Sequence, residues 1–201
     1  MTIITIDGNI GSGKSSILNY LHKINKISID LEPVENWNNY LTNMYDQSNN
    51  VFEFQVRIWL DRCLIQEKSD KLILMERSPY FIKNTFINVA HDLKMINDDQ
   101  YSMLLKLHEK TDILWKCNIY IYLRSNPENC FKRLQKRNRI CEKNITEEYI
   151  TILHKSHEKN YQKAIENNMN IIMIDVDDKS IADISNEILD FIKNKLYINI
   201  V

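Results

Sequence analysis

The segment Gly8-Asn9-Ile10-Gly11-Ser12-Gly13-Lys14-Ser15 has the spacing G-x-x-x-x-G-K-[ST]. Residues of these types in this order can hold a chain of phosphates. The glycines let successive backbone N–H groups curl around phosphate oxygens, and a helix N-terminus adds its positive dipole end. Lys14 is then expected to reach the β and γ phosphates of a nucleoside triphosphate, and the Ser15 hydroxyl to ligate Mg²⁺. The context is the required one: β-forming Thr2–Asp7 precedes the loop, and Lys14–Lys23 follows with helical spacing of Ile17, Leu18 and Leu21. Phosphate binding by itself names no reaction. The N/T-K-x-D pattern by which many nucleotide-binding domains read guanine is absent.

Two further groups supply chemistry at the ends of apolar runs. Glu32 follows Ile27–Leu31 and precedes Pro33, which keeps the local chain extended. Glu76-Arg77-Ser78 follows Lys71–Met75. If the strands flanking the first one carry them, both carboxylates and the arginine arrive beside the phosphate loop. Phosphoryl transfer needs an acceptor for the attacking hydroxyl's proton and cations for the spreading charge. Glu32 suits the first role; Lys14, Arg77 and Mg²⁺ suit the second. Taken singly, each of these side chains reads equally well as a solvated charge on a loop.

The elements that must position these groups alternate. Strands are predicted at Thr2–Asp7, Ile27–Leu31, Lys71–Met75, Asn118–Leu123 and Asn170–Ile174. Helices are predicted at Lys14–Lys23, Val51–Lys68, Phe81–Leu93, Asp98–Trp115, Thr146–Asn167 and Ser180–Lys195. Phe54, Ile58 and Leu64/Ile65 give Val51–Lys68 its apolar stripe. Ser125-Asn126-Pro127-Glu128 opens one more helix, with proline in its first turn and capping-box spacing. Strand–helix alternation predicts an α/β fold with a five-stranded parallel sheet covered by helices on both faces. No repeat or linker divides the chain, so residues 1–201 are expected to form one domain.

Composition excludes several classes. With 201 residues and a formal net charge of −1, the chain lacks the global basicity that drives nucleic-acid binding. Cys63, Cys117, Cys130 and Cys141 show no metal-ligand spacing and read as free thiols. The first residues run straight into a strand without a signal-peptide layout, and no apolar run reaches the ~18 residues of a membrane helix. A cytoplasmic protein with no membrane partner is expected.

Taken together, Gly8–Ser15, Glu32-Pro33-Val34-Glu35-Asn36-Trp37, Tyr45, Phe54-Gln55, Glu76-Arg77-Ser78 and Arg137–Glu142 resemble the deoxynucleoside kinase family in order and approximate spacing. The resemblance runs on through Leu153-His154 to Ile174-Asp175-Val176. It implies a P-loop kinase fold with an arginine-rich lid near residues 137–145, and phosphorylation of a deoxynucleoside 5′-hydroxyl by ATP in nucleotide salvage. On this resemblance Glu32 is the general base and Arg77 steadies it and the moving phosphate. Glu76 holds Mg²⁺ together with Ser15. Tyr45 and Glu142 bind the 3′-hydroxyl, Gln55 binds the nucleobase through its amide, Phe86 stacks on it, and Trp37 lines the pocket. A homodimer through the long helices is also implied.

Gln55, Ile58 and Arg62 fall at i, i+3 and i+7, on one helix face, which on the resemblance lines the nucleobase pocket. Relatives that favour purines or cytosine commonly pair an arginine at Arg62 with an aspartate at Ile82. Here the acid is missing, so Arg62 must find another acceptor, turn to solvent or bind the base itself. Ile82 suits a thymine methyl, which favours a pyrimidine or a broad range.

Lys132, Arg133, Lys136, Arg137 and Arg139 form a basic cluster. It reads as a lid over ATP phosphates, a solvated helix face or a nucleic-acid patch. The net charge and the lack of interleaved aromatics argue against the last, and the resemblance favours the lid, with Arg137 and Arg139 as the phosphate contacts. Two other functions share the P-loop: a nucleoside monophosphate kinase, and a nucleotide-binding module without turnover.

Overall fold

The computed structural model describes residues 2–47, 50–63, 72–114 and 119–196. Five parallel strands, β1 (Thr2–Gly8), β2 (Ser28–Asp30), β3 (Leu72–Glu76), β4 (Ile119–Arg124) and β5 (Ile171–Asp175), form a sheet in the order β2-β3-β1-β4-β5. All five agree with the predicted strands to within a residue or two. One expectation fails in detail. β3 flanks β1, but β2 lies one strand further out, and β4 takes the other side of β1.

Alternation along the strands divides the core. Ile4 and Ile6 of β1, with Ile121 and Leu123 of β4, pack against Ile17, Leu18 and Leu21 of α1 (Lys14–Asn25). The same cluster takes in Ile184, Ile188 and Ile192 of α9 (Ile181–Leu196). Each such fully buried side chain stabilises the fold by roughly 1.5–3 kcal/mol. Tyr122 points to the opposite face, where Phe81, His157 and Tyr161 contact its ring. His157 and Tyr161 belong to α8 (Glu147–Glu166), which Thr146 caps by accepting the Tyr149 N–H.

A separate helical cluster stands at the C-terminal ends of the strands. Trp37, Leu41 and Met44 of α2 (Val34–Gln47) pack with Val51, Phe54 and Ile58 of α3 (Val51–Arg62) and with Leu104 of α6 (Asp98–Leu114). α2 is not among the elements expected from the sequence. The predicted Val51–Lys68 helix is seen as far as Arg62; Leu64 and Ile65, the end of its stripe, lie outside the described residues, as does Trp115.

Two local predictions are corrected. The helix expected from Phe81 starts at Pro79, with Ser78 Oγ accepting the Phe81 N–H as its cap. α4 (Pro79–Phe81) then passes through a π-helical stretch, Ile82–Ile87, into α5 (Asn88–Asp92). At the start of α7 (Pro127–Arg137) Pro127 takes the first position, but no capping box forms. Ser125 instead donates to Asp177 at 2.5 Å, and Asp177 also accepts the Asn126 N–H. The acid at the end of the neighbouring strand outcompetes the local partner.

Candidate active site

The phosphate loop is built as its motif requires. Gly11 has φ +80°, and a Cβ there would lie 2.3 Å from the carbonyl oxygen of Cys130 on α7, so only glycine lets the loop pack this closely. Gly13 is left-handed and leads into α1. Asn9 is a brace: its Nδ2 donates to the Ile150 carbonyl on α8, and its Oδ1 accepts the Ile10 N–H. Lys14 Nζ is held on the Asn9 and Gly8 carbonyls at 3.0 and 3.3 Å. Burial first, then the nearby Arg77 charge, push its pKa down to about 8.

Strand register brings the acids to this loop. Ile6 of β1 pairs with Glu76, and Asp30 of β2 pairs with Met75. Glu32, two residues past β2, therefore arrives beside the end of β3 although β2 is not adjacent to β1. Its backbone N–H donates to Glu76 Oε2. Ser15 Oγ lies 2.9 and 3.1 Å from the two Glu76 carboxylate oxygens. Two hard oxygen donors side by side at the start of α1 fit Mg²⁺, which usually takes one or two carboxylates and completes its shell with phosphate and water. No group of three or more His, Cys, Asp or Glu side chains suited to a metal occurs among the described residues.

Arg77 joins the two halves. Its Nε donates to Glu32 Oε1 at 2.6 Å and its Nη1 to the Gly8 carbonyl at 3.1 Å. Its guanidinium also sits 4.3 Å from the centre of the Phe86 ring. The residue adopts φ +64°, an unusual conformation for a side chain this large, fixed by its N–H bond to Ile6. Burial works to lower its pKa, but Glu32, Glu76 and Asp7 outweigh this and hold it raised. Asp7 itself is pushed up to about 6 by burial, although the Ser78 N–H and Arg77 oppose the shift.

One cavity of about 190 Å³ joins this charged end to the helical cluster. Among the predicted substrate residues, Trp37, Tyr45, Gln55, Ile58, Ile82, Phe86 and Glu142 line it. Ile82 and Phe86 both reach it from the π-helical stretch, a feature frequent at functional sites. Trp37 turns its Nε1–H to Asp61 at 2.7 Å and meets the Phe54 ring edge-on. Arg62 does not line the cavity. It is 2% exposed, and its guanidinium is bonded to Asp30, to the Leu31 carbonyl and to the Glu76 carbonyl. Of the three outcomes left open by the sequence, the first is the one observed: Arg62 finds another acceptor, the Asp30 carboxylate at the end of β2.

The basic cluster splits. Lys132 pairs with Glu128, and Arg133 is held by Ser125 and Asp177. Only Arg137 and Arg139 of the five line the cavity, and both hold Glu142, at 2.5 and 3.5 Å. The short 3₁₀ turn Ile140–Glu142 carries this acid to them.

Sequence reasoning missed Tyr149, Leu41 and Met44, which also line the cavity. Tyr149 meets Tyr45 edge-on, and burial pushes its hydroxyl up to about 12. It lies in the first turn after the lid, and no spacing marks it. His157 was also missed. It is fully buried against Phe81, Phe86 and Tyr122, and burial, then Arg77 and Lys14, keep it neutral.

The family profile described as deoxynucleoside kinase matches residues 4–197. A probable deoxycytidine kinase of fowlpox virus (strain NVSL) is 31% identical over 97% of this chain and 89% of its own length. Mitochondrial thymidine kinase 2 of Homo sapiens is 29% identical over 79% of this chain and 63% of its own length. Among solved structures, the deoxyadenosine kinase of M. mycoides with dCMP and dCDP bound superposes with a TM-score of 0.82. It is 27% identical, with 96% of this chain and 99% of that one covered.

Proposed function

The chain belongs to the deoxynucleoside kinase family, and we propose that it moves the γ-phosphoryl group of ATP onto the 5′-hydroxyl of a deoxynucleoside, with Glu32 as the general base. The observation that carries this is the Arg77 bridge, with Glu32 on one side and the phosphate loop at Gly8 on the other. Glu32 and the Gly8 carbonyl are bonded to the same guanidinium, which supports reading the carboxylate as the proton acceptor beside the phosphate loop.

In this reading Gly8–Ser15 cradles the ATP phosphates, and Lys14 leaves the Gly8 and Asn9 carbonyls for the β and γ oxygens. Mg²⁺, held by Ser15 and Glu76, supplies charge neutralisation on the phosphates when bound. Glu32 takes the 5′-hydroxyl proton while Arg77 fixes the carboxylate's orientation and faces the transferring group. Gln55 reads the base, Phe86 and Trp37 flank it, and Tyr45 with Glu142 takes the 3′-hydroxyl. Arg137 and Arg139 exchange Glu142 for phosphate oxygens as the lid closes and water is excluded.

The protein acts as a homodimer through α3 and α6, on which Leu60 and Met103 are exposed. It works in the cytoplasm, in nucleotide salvage. No helix among the described residues is long and apolar enough to cross a membrane.

The Glu32→Gln variant tests the assignment. It should bind nucleoside within about twofold of the parent, measured by calorimetry, and lose roughly 10²–10⁴-fold in kcat. An unchanged kcat would remove Glu32 from the base role.

A further inference from the structure

We propose that Asp30 determines nucleobase selectivity: by capturing Arg62 it leaves the base end of the cavity uncharged and fits it to a pyrimidine with a 5-methyl group. The proposal rests on the reading of this cavity as a nucleoside site.

Arg62 follows Ile58 by one turn and Gln55 by two on α3, the helix whose face walls the cavity. A buried guanidinium must find acceptors, and a carboxylate gives the strongest bond. Arg62 Nη1 donates to Asp30 Oδ1 at 2.7 Å and to the Leu31 carbonyl at 3.3 Å. Nη2 donates to the carbonyls of Glu76 at 2.8 Å and Asp30 at 3.1 Å. These bonds turn the charge beneath the strand ends, behind Glu32 and Glu76. Among the described residues no acid competes for it from the base end, where Leu41, Met44, Phe54, Ile58 and Ile82 stand.

The amide of Gln55 is set into this apolar wall. Its Oε1 is buried and has no hydrogen-bond partner. It is satisfied by a ring or amino N–H lying next to an acceptor for the amide nitrogen, which the 3,4-edge of a pyrimidine offers. The next ring atom, C5, then faces the apolar side chains around Gln55. A methyl group there is buried against Ile58 and Ile82. With Arg62 in the cavity the same methyl would meet a guanidinium.

Thymidine and deoxyuridine isolate this methyl, because they share the edge that Gln55 reads. The experiment measures kcat/KM with ATP and Mg²⁺ for both, and Kd for both in the absence of ATP. One methyl in an apolar pocket gives about tenfold or more, so the parent chain should favour thymidine by about tenfold in each quantity. Asp30→Ala should bring the ratio close to one, and adding Arg62→Met to it should restore the preference.

Equal use of the two nucleosides by the parent chain overturns the proposal, and that result needs no variant to fold. An unchanged ratio in Asp30→Ala overturns the capture by Asp30. A tenfold preference in Kd without turnover of any nucleoside sinks the kinase reading and supports the pocket assignment. Equal turnover of both nucleosides does the reverse.

Discussion

At the phosphate-loop end of the cavity, three cations already hold acceptors within the protein. Lys14 rests on the Gly8 and Asn9 carbonyls, Arg77 on Glu32 and Gly8, and Arg137 on Glu142. At the base end, the amide of Gln55 stands among Leu41, Met44, Phe54, Ile58 and Ile82, with Oε1 unpartnered. The difference fits the ligand proposed for each end. A phosphate chain is recognised by charge, and cations packed this closely need counter-groups while they wait. A base is recognised by shape and one hydrogen-bonding edge, so the pocket stays apolar and the amide is left for the ligand. On the proposed reading the donor end is generic to phosphoryl donors, and the acceptor's identity is decided by apolar side chains and by where Arg62 goes.

Perturbing each end should break a different half of the reaction. The largest effect is expected from Lys14→Met, which removes a cation from the donor cradle. It should lower kcat/KM for ATP by roughly 10²–10³-fold while nucleoside Kd, by calorimetry, changes less than about twofold. A matching loss in nucleoside affinity would mean that the two ends are not separable.

Gln55→Leu is the converse test at the base end. It should cost roughly 10–100-fold in nucleoside kcat/KM and leave the Kd of ATP unchanged. A loss confined to ATP would place the base reader elsewhere.

The smallest effect is on pH dependence. Lys14 has a pKa of about 8 in the nucleotide-free protein, below its usual value of 10.5. Bound phosphates favour its charged form, so ATP affinity is full below this pKa and falls as pH rises through it. The profile of kcat/KM for ATP should bend downward near pH 8 and be about tenfold lower one unit above the bend, while nucleoside Kd stays flat. A Lys14→Arg variant should lose the bend. A bend in the nucleoside profile instead would assign the titration to the acceptor end.

The two ends also differ in how far the sequence discloses them. Gly8–Ser15 is contiguous and the role proposed for it rests on backbone geometry, so spacing alone picks it out. Glu32 and Glu76-Arg77 are legible because strands of a parallel sheet deliver their C-terminal residues to one edge. That logic survived a wrong neighbour assignment for β2, since register, not adjacency, brings Glu32 to Arg77. The base end is assembled from α2, α3 and the π-helical stretch, and its residues touch only through tertiary packing. Leu41, Met44 and Tyr149 consequently carry no marker. Arg62 shows the limit most clearly. Its place on the Gln55 face of α3 was readable, but its direction depends on Asp30, from another element, winning its guanidinium. Ser125 repeats the lesson, since Asp177 takes the hydroxyl that the local pattern assigned to a helix cap.

On the proposed reading the cavity joins an ATP cradle to a deoxynucleoside, with Glu32 aimed at a neutral hydroxyl. A monophosphate acceptor would bring a dianion against that carboxylate. The most direct measurement offers the chain ATP and Mg²⁺ with each deoxynucleoside and, separately, with each deoxynucleoside monophosphate, following ADP release in a coupled assay. Turnover of deoxynucleosides to their 5′-monophosphates, with little or none on the monophosphates, is predicted. Turnover on monophosphates alone, or on neither, would contradict the account.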